Sequence, residues 1–105
     1  MGIVNALVSA FVPKEATIER MILTLEREEG HGAISVKSIY YDDVRQYIKD
    51  KQCRIVHVKD HGDHEWIEFE TWIRGNNYLV TLGKAWNDDG SYRRDAVITA
   101  RLGDI

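Results

Sequence analysis

The clearest pattern in the chain is a strict alternation of apolar and polar residues over residues 65–73, which read EWIEFETWI. Alternation with a period of two is typical of a β-strand whose faces meet different surroundings. One face carries Ile67, Phe69, Thr71 and Ile73, and the other carries Trp66, Glu68, Glu70 and Trp72. We predict that the first face belongs to a core. Grouped tryptophans on the second face are typical of a binding surface.

A turn signal at Gly62-Asp63 predicts that a preceding strand, beginning at Arg54, folds back on this one. Residues paired across a hairpin share one face of the sheet, so a correct register matches apolar with apolar residues. A two-residue loop meets this condition on both faces. The pairs that it predicts are Val58 with Ile67, Val56 with Phe69, His57 with Glu68 and Lys59 with Trp66.

Two further turns extend the sheet over residues 54–102. A two-residue Gly75-Asn76 loop predicts the pairs Phe69 with Leu82, Thr71 with Val80, Ile73 with Tyr78 and Trp66 with Ala85. A three-residue loop over residues 88–90, with Gly90 in the left-handed conformation, predicts the pairs Leu82 with Ala96, Val80 with Ile98 and Tyr78 with Ala100. A two-residue Asp89-Gly90 loop would instead turn Thr99 and Arg101 inward, so apolar matching favours three residues. In this arrangement Trp66 covers Gly83 and Ala85.

Apolar residues before the sheet recur at helical spacing. A stripe in the first segment predicts a main helix over residues 14–29 and consists of Ile18, Met21, Ile22 and Leu25. A second helix is predicted over residues 42–52, with inward-facing residues Val44, Tyr47 and Ile48. Residues 33–38 alternate as a short strand does. The predicted fold class is α+β: an antiparallel four-stranded meander, or five strands, packed on one face by two or three helices from the N-terminal half.

Residues 1–13 form an apolar N-terminal segment without a charged side chain. The segment is too short to span a bilayer and has no basic n-region, so neither a membrane helix nor a signal peptide is predicted. Its apolar residues at helical spacing are Val4, Leu7, Val8 and Phe11. They indicate a short helix packed on the same domain. Docking of this segment into a partner or a second copy is the alternative.

The composition predicts one domain over residues 1–105, because 105 residues that are 44% hydrophobic can bury a core unaided. The formal net charge is -3, which argues against non-specific binding to phosphates. Cys53 has no second cysteine to pair with. It favours a reducing compartment, hence a cytoplasmic location, and a structural role as a buried thiol.

Candidate chemistry is sparse along the chain. The best metal candidates are His61 and His64, which flank the first turn, but two ligands are too few and His57 lies down the strand. Glu68 and Glu70 are about 7 Å apart on one strand, without a cleft that would make them a glycosidase pair. We therefore predict no enzyme activity, no catalytic residue, no metal and no cofactor.

The order of helix, strand, helix and hairpin is similar to that of a winged-helix DNA-binding regulator. In that alternative residues 42–52 would be the recognition helix and residues 61–64 the tip of the wing. Asp42 and Asp43 at the start of this helix would repel phosphates, and two strands beyond Ile73 would have no role. Nucleic acid is therefore an unfavoured partner.

We expect a binding function rather than catalysis. The predicted partner-binding residues on the outer sheet face are Trp66, Glu68, Glu70, Trp72, His57 and Lys59. Aromatic residues are enriched in interface cores, and the carboxylates favour a protein partner with a basic surface. A small acidic protein of this kind is typical of inhibitory modules that phages and mobile elements direct against host proteins. A homodimeric structural protein, formed through the same face, is the further alternative.

Overall fold

The computed structural model describes residues 14–28 and 34–103. Its elements are helix α1 (Lys14–Arg27), strand β1 (Ile34–Tyr40), helix α2 (Tyr41–Asp50) and strands β2 (Arg54–Asp60), β3 (Glu65–Ile73), β4 (Asn76–Trp86) and β5 (Tyr92–Leu102). The strands form one antiparallel sheet in the order β1-β5-β4-β3-β2. The predicted α+β class is confirmed. The short strand predicted at residues 33–38 is the fifth strand, whereas the segment 1–13 lies outside the described residues.

The core lies between the two helices and the inner face of the sheet. Both predicted helical stripes point into it, with Ile18 and Ile22 from α1 and Val44 and Tyr47 from α2 buried. The large core cluster of the sheet's inner face includes Ile67, Phe69, Ile73, Tyr78, Val80, Leu82, Ala96 and Ile98, all of which are buried. Each large apolar side chain buried in this way contributes about 1.5–3 kcal/mol to stability. The inner face was therefore predicted correctly for the three strands that follow the first turn.

A hydrogen-bonded network explains why a polar residue, Thr71, lies on the buried face. The Tyr47 hydroxyl donates to Glu19 Oε2 at 3.0 Å and accepts from the Thr71 hydroxyl at 2.7 Å. Lys51 then contacts Glu19 and Glu15, with nitrogen-oxygen distances of 3.6 and 3.1 Å. Burial raises the pKa of the Tyr47 phenol, and the neighbouring Glu19 carboxylate raises it further. This network ties α1, α2 and β3 together at one end of the sheet.

Helix α2 ends in a Schellman motif built on a non-glycine residue. Gln52 has a φ of 51°, which lies in the left-handed region. The Cys53 N–H donates to the Ile48 carbonyl at 2.9 Å and the Gln52 N–H to the Lys49 carbonyl at 3.2 Å. The chain thereby reverses directly from α2 into β2, at the end of the sheet where Lys51 holds α1.

The first hairpin has the predicted two-residue loop but contains a bulge. The pairs Val58 with Ile67, His57 with Glu68 and Lys59 with Trp66 are confirmed. The predicted pair Val56 with Phe69 is wrong, because the register shifts and Ile55 pairs with Phe69. Two consecutive apolar residues, Ile55 and Val56, gave the alternation pattern no means of locating this extra residue.

In the second hairpin the predicted register is wrong by two residues. The tight turn is formed by Arg74 and Gly75, which both have positive φ, and not by Gly75 and Asn76. The observed pairs are Ile67 with Leu82, Phe69 with Val80, Thr71 with Tyr78 and Trp72 with Asn77. A shift of two residues keeps every side chain on its predicted face. The inner and outer faces are therefore correct although the partners are not.

In the third hairpin the three-residue loop is predicted correctly, but the predicted residue pairs between β4 and β5 are wrong. The Asn87 N–H donates to the Ser91 carbonyl across residues 88–90, and Gly90 has a φ of 88°. A bulge follows immediately, because Trp86 pairs with Tyr92 whereas Lys84 pairs with Ala96. The observed pairs beyond it are Leu82 with Ile98, Val80 with Ala100 and Tyr78 with Leu102. Each replaces a predicted pair, again by a shift of two residues.

Strand β2 contradicts the prediction that helices cover its inner side. Every residue of β2 is exposed. On this strand Ile55 is 50% exposed and Val58 is 41% exposed. The helices make their main contacts with β1, β4 and β5, so the described helices leave this edge strand uncovered.

Candidate functional site

The structure brings the six predicted partner-binding residues onto one surface, which we call the outer patch: His57, Lys59, Trp66, Glu68, Glu70 and Trp72. Strand β3 supplies four of them because its alternation turns every second side chain away from the core. Strand β2 supplies the other two through the confirmed pairs of His57 with Glu68 and Lys59 with Trp66. The patch thus spans two neighbouring strands at one margin of the sheet.

Trp72 is the most accessible aromatic residue of the outer patch, at 59% exposed. The reason lies in the lengths of the strands. The pairing of β2 with β3 starts with Arg54 opposite Glu70, so Trp72 extends beyond the last paired residue on that side. Its other strand neighbour is Asn77 on β4. The indole therefore stands at a corner of the sheet, with solvent on most of its surface.

Trp66 differs from Trp72 because its ring is packed on the sheet. A Cβ atom added at Gly83 would lie 2.7 Å from Cε3 and 2.8 Å from Cζ3 of Trp66. The ring also lies 5.9 Å from that of His61, centroid to centroid. The expected contact with Gly83 is present, although the pair Trp66 with Ala85 is not. Trp66 is half-buried, so only part of its ring contributes to the accessible surface of the outer patch.

The outer patch carries charges of both signs. Arg54 Nη1 lies 3.8 Å from Glu70 Oε2, and His57 pairs across the strands with Glu68. Lys59 on β2 adds a further exposed cation. Each carboxylate thus has a basic residue of β2 as its cross-strand neighbour. Their attraction for a basic partner is correspondingly reduced.

At the turn after β2, the two candidate metal ligands form a stacked aromatic pair. The rings of His61 and His64 are 5.5 Å apart, and that of Tyr92 lies 4.6 Å from His64. His64 Nε2 accepts the Lys84 backbone N–H at 3.2 Å, so this nitrogen is not available to a metal. Among residues 14–28 and 34–103, no three His, Cys, Asp or Glu side chains form a group that could hold a metal ion.

His64 is buried, and its surroundings favour the neutral form of its ring. Because Nε2 accepts a hydrogen bond, the proton of the neutral ring resides on Nδ1, which is buried without a hydrogen-bond partner. Burial lowers the pKa of His64, and the nearby charges of Lys84 and His61 lower it further.

Sequence analysis missed two residues that affect the accessible surface. Arg54 was treated as the start of a strand, yet the bulge turns it to the outer face beside Glu70. Trp86, at the far end of β4, is 64% exposed. Its position next to the Asp88-Asp89-Gly90 turn is the signal that could have indicated exposure.

Cys53 is half-buried, and burial raises the pKa of its thiol.

In comparisons with known proteins, no family model, no curated protein and no solved structure matches the chain. Within the described part of the chain, no helix is both long and apolar enough to cross a membrane.

Proposed function

We propose that this chain is a small acidic protein-binding module, of an inhibitory kind, that engages its partner through the outer patch. The observation that carries the proposal is the corner position of Trp72, an indole that is 59% exposed beside exposed β2 residues. Truncation of a tryptophan at the centre of an interface typically costs about 2–4 kcal/mol of binding free energy. An indole that stays in solvent contributes little to folding, so most of the Trp72 ring remains available for a partner.

The charges favour a partner with a patterned surface. Glu68 and Glu70 alternate with Arg54, His57 and Lys59 across the two strands. A basic partner, as predicted from the carboxylates, would have to displace Arg54 from Glu70 and to tolerate Lys59. A complementary surface that presents both signs fits the patch better, because like charges brought together cost several kcal/mol.

Photo-cross-linking tests the proposal in cells. A benzophenone amino acid replaces Trp72 in one variant and Trp86 in a matched control, because the two tryptophans are similarly exposed, at 59% and 64%, on different parts of the sheet. We expect a discrete cross-linked protein at position 72 only. The purified partner is then titrated calorimetrically with the wild type, Trp72→Ala and Trp86→Ala.

The expected result is a loss of roughly thirtyfold or more in affinity for Trp72→Ala, which corresponds to about 2 kcal/mol. Trp86→Ala should bind as the wild type does. Equal losses in both variants, or equal cross-linking at both positions, would contradict the proposal. Light scattering of the isolated chain detects the homodimer alternative, and filter binding to duplex DNA at low salt detects the winged-helix alternative.

A further inference from the structure

The inner side of β2 forms one wall of an open groove whose other wall is α2. The groove has a volume of about 500 Å³. Its apolar lining comes from Ile48 on α2, Ile55 on β2 and Ile67 on β3, and its polar lining consists of Asp42, Arg45, Gln46, Lys49 and Gln52. Ile55 is 50% exposed whereas Ile48 and Ile67 are buried, so Ile55 provides the apolar surface of the groove that is open to solvent.

The widths of the two layers explain why the groove exists. Five strands at a spacing of about 4.8 Å make a sheet roughly 24 Å wide. Two helices, each about 10 Å across, cover roughly 20 Å of that width. The described helices pack mainly over β1, β4 and β5, so the uncovered strip is the inner side of β2.

We propose that residues 1–13 of the same chain occupy this groove and pack their apolar stripe against the inner side of β2. The stripe consists of Val4, Leu7, Val8 and Phe11. A helix of 13 residues is about 20 Å long. The seven residues of β2 extend over about 20 Å as well, so the lengths match.

The position of the first turn of α1 favours the same chain over a second copy. Glu15 Oε1 lies 3.1 Å from Lys51 Nζ, and Lys51 is two residues before Cys53, which lines the groove. Glu15, in the first turn of α1, therefore lies beside the end of the groove. An intramolecular segment reaches a site this close at a high effective concentration, which a second molecule does not match.

The chemistry of the segment fits the groove as well. Residues 1–13 have no charged side chain, so docking them buries no unpaired charge. The exposed apolar side chains of the inner side of β2 lose their contact with water at the same time. Burial of apolar surface on both partners is the favourable term that drives such packing.

Disulfide cross-linking in the full chain tests this proposal, with Cys53 as the natural anchor thiol. The variants Val8→Cys and Phe11→Cys place a second thiol on the apolar stripe, and Ser9→Cys places it on the opposite side of the same predicted helix. Positions 8 and 9 are neighbours, so the tether alone brings both equally close to Cys53. Only face-specific docking separates their rates.

We expect both stripe variants to form an intramolecular disulfide at least about tenfold faster than Ser9→Cys, at a rate independent of protein concentration. Circular dichroism confirms that each variant is folded before oxidation. Equal rates at positions 8, 9 and 11 would overturn the proposal, because the segment would then be tethered but not docked by its stripe. Covalent dimers that form faster at higher concentration would overturn it too, since the groove would be filled by the segment of a second copy.

Discussion

Replacing Gly83 with alanine tests the contact between β4 and the indole of Trp66. The new methyl group would lie 2.7 Å from Cε3 and 2.8 Å from Cζ3 of this ring. Ordinary contact between carbon atoms begins at about 3.5 Å, so the ring would have to move by roughly 0.7 Å or more. Overpacking of this kind typically costs about 1–3 kcal/mol.

The same substitution should have the opposite sign once the ring is gone. In a Trp66→Ala background nothing obstructs the methyl group, and alanine is favoured over glycine within a strand by about 0.5–1 kcal/mol. Trp66→Ala alone should cost roughly 2 kcal/mol, because the half-buried ring makes part of the contacts of a fully buried aromatic residue. The coupling energy of the two substitutions is therefore expected to be about 2 kcal/mol.

Urea unfolding followed by far-UV circular dichroism measures all four proteins, since tryptophan fluorescence would change with Trp66 itself. Gly75→Ala provides the matched control: its Cβ would meet nothing within 4 Å, but its φ of 83° makes alanine strained. This control should cost about 1 kcal/mol in both backgrounds. If Gly83→Ala is equally destabilising with and without Trp66, with a coupling below about 0.5 kcal/mol, the packing of Trp66 on Gly83 is refuted.

Two further predictions concern the turns that flank β2. Gln52→Gly should stabilise the protein by about 1 kcal/mol, because Gln52 has a φ of 51° at the end of α2 and glycine adopts this conformation without strain. A lower urea midpoint than that of the wild type would contradict the left-handed conformation of residue 52. For His64, burial lowers the pKa in the folded state below its usual value of 6.5, so protonation favours the unfolded chain. The His64 contribution to stability should therefore be constant above about pH 6.5 and fall as the pH decreases toward the folded-state pKa. The variant His64→Gln, whose amide oxygen can still accept the Lys84 N–H, should lose this dependence of stability on pH. An unchanged slope in thermal melts between the two proteins would show that another group is responsible.

The sequence predicted the fold class and the inner face well because both depend on local periodicity. Phe69 and Leu82 are buried as expected, and Tyr47 faces the core from α2. The first hairpin was also predicted, since Gly62-Asp63 is a strong two-residue turn signal and both faces matched. The candidate outer patch follows from the same alternation, so all six of its residues share one face of the sheet.

The errors have a common physical origin. Shifting a strand by two residues preserves the face of every side chain, so apolar matching cannot distinguish Thr71 opposite Tyr78 from Ile73 opposite Tyr78. Bulges at Val56 in β2 and within residues 93–95 of β5 insert residues whose effect on the register depends on the strands that pair beside them. The prediction that the inner side of β2 is buried was wrong, because alternation shows which side of the sheet a residue faces and not whether a helix covers that side.

What the sequence determined by itself is therefore the parity of strands β3, β4 and β5, the helical stripes and the first turn, because all three arise from contacts between residues close in the chain. Only the tertiary structure decided the pairing partners, the half-buried state of Trp66 against the exposed state of Trp72, and the uncovered edge at β2. These depend on strand lengths, bulges and the width of two helices set against five strands. Such quantities emerge when the layers are packed together, since they belong to the whole sheet and to no single segment of it.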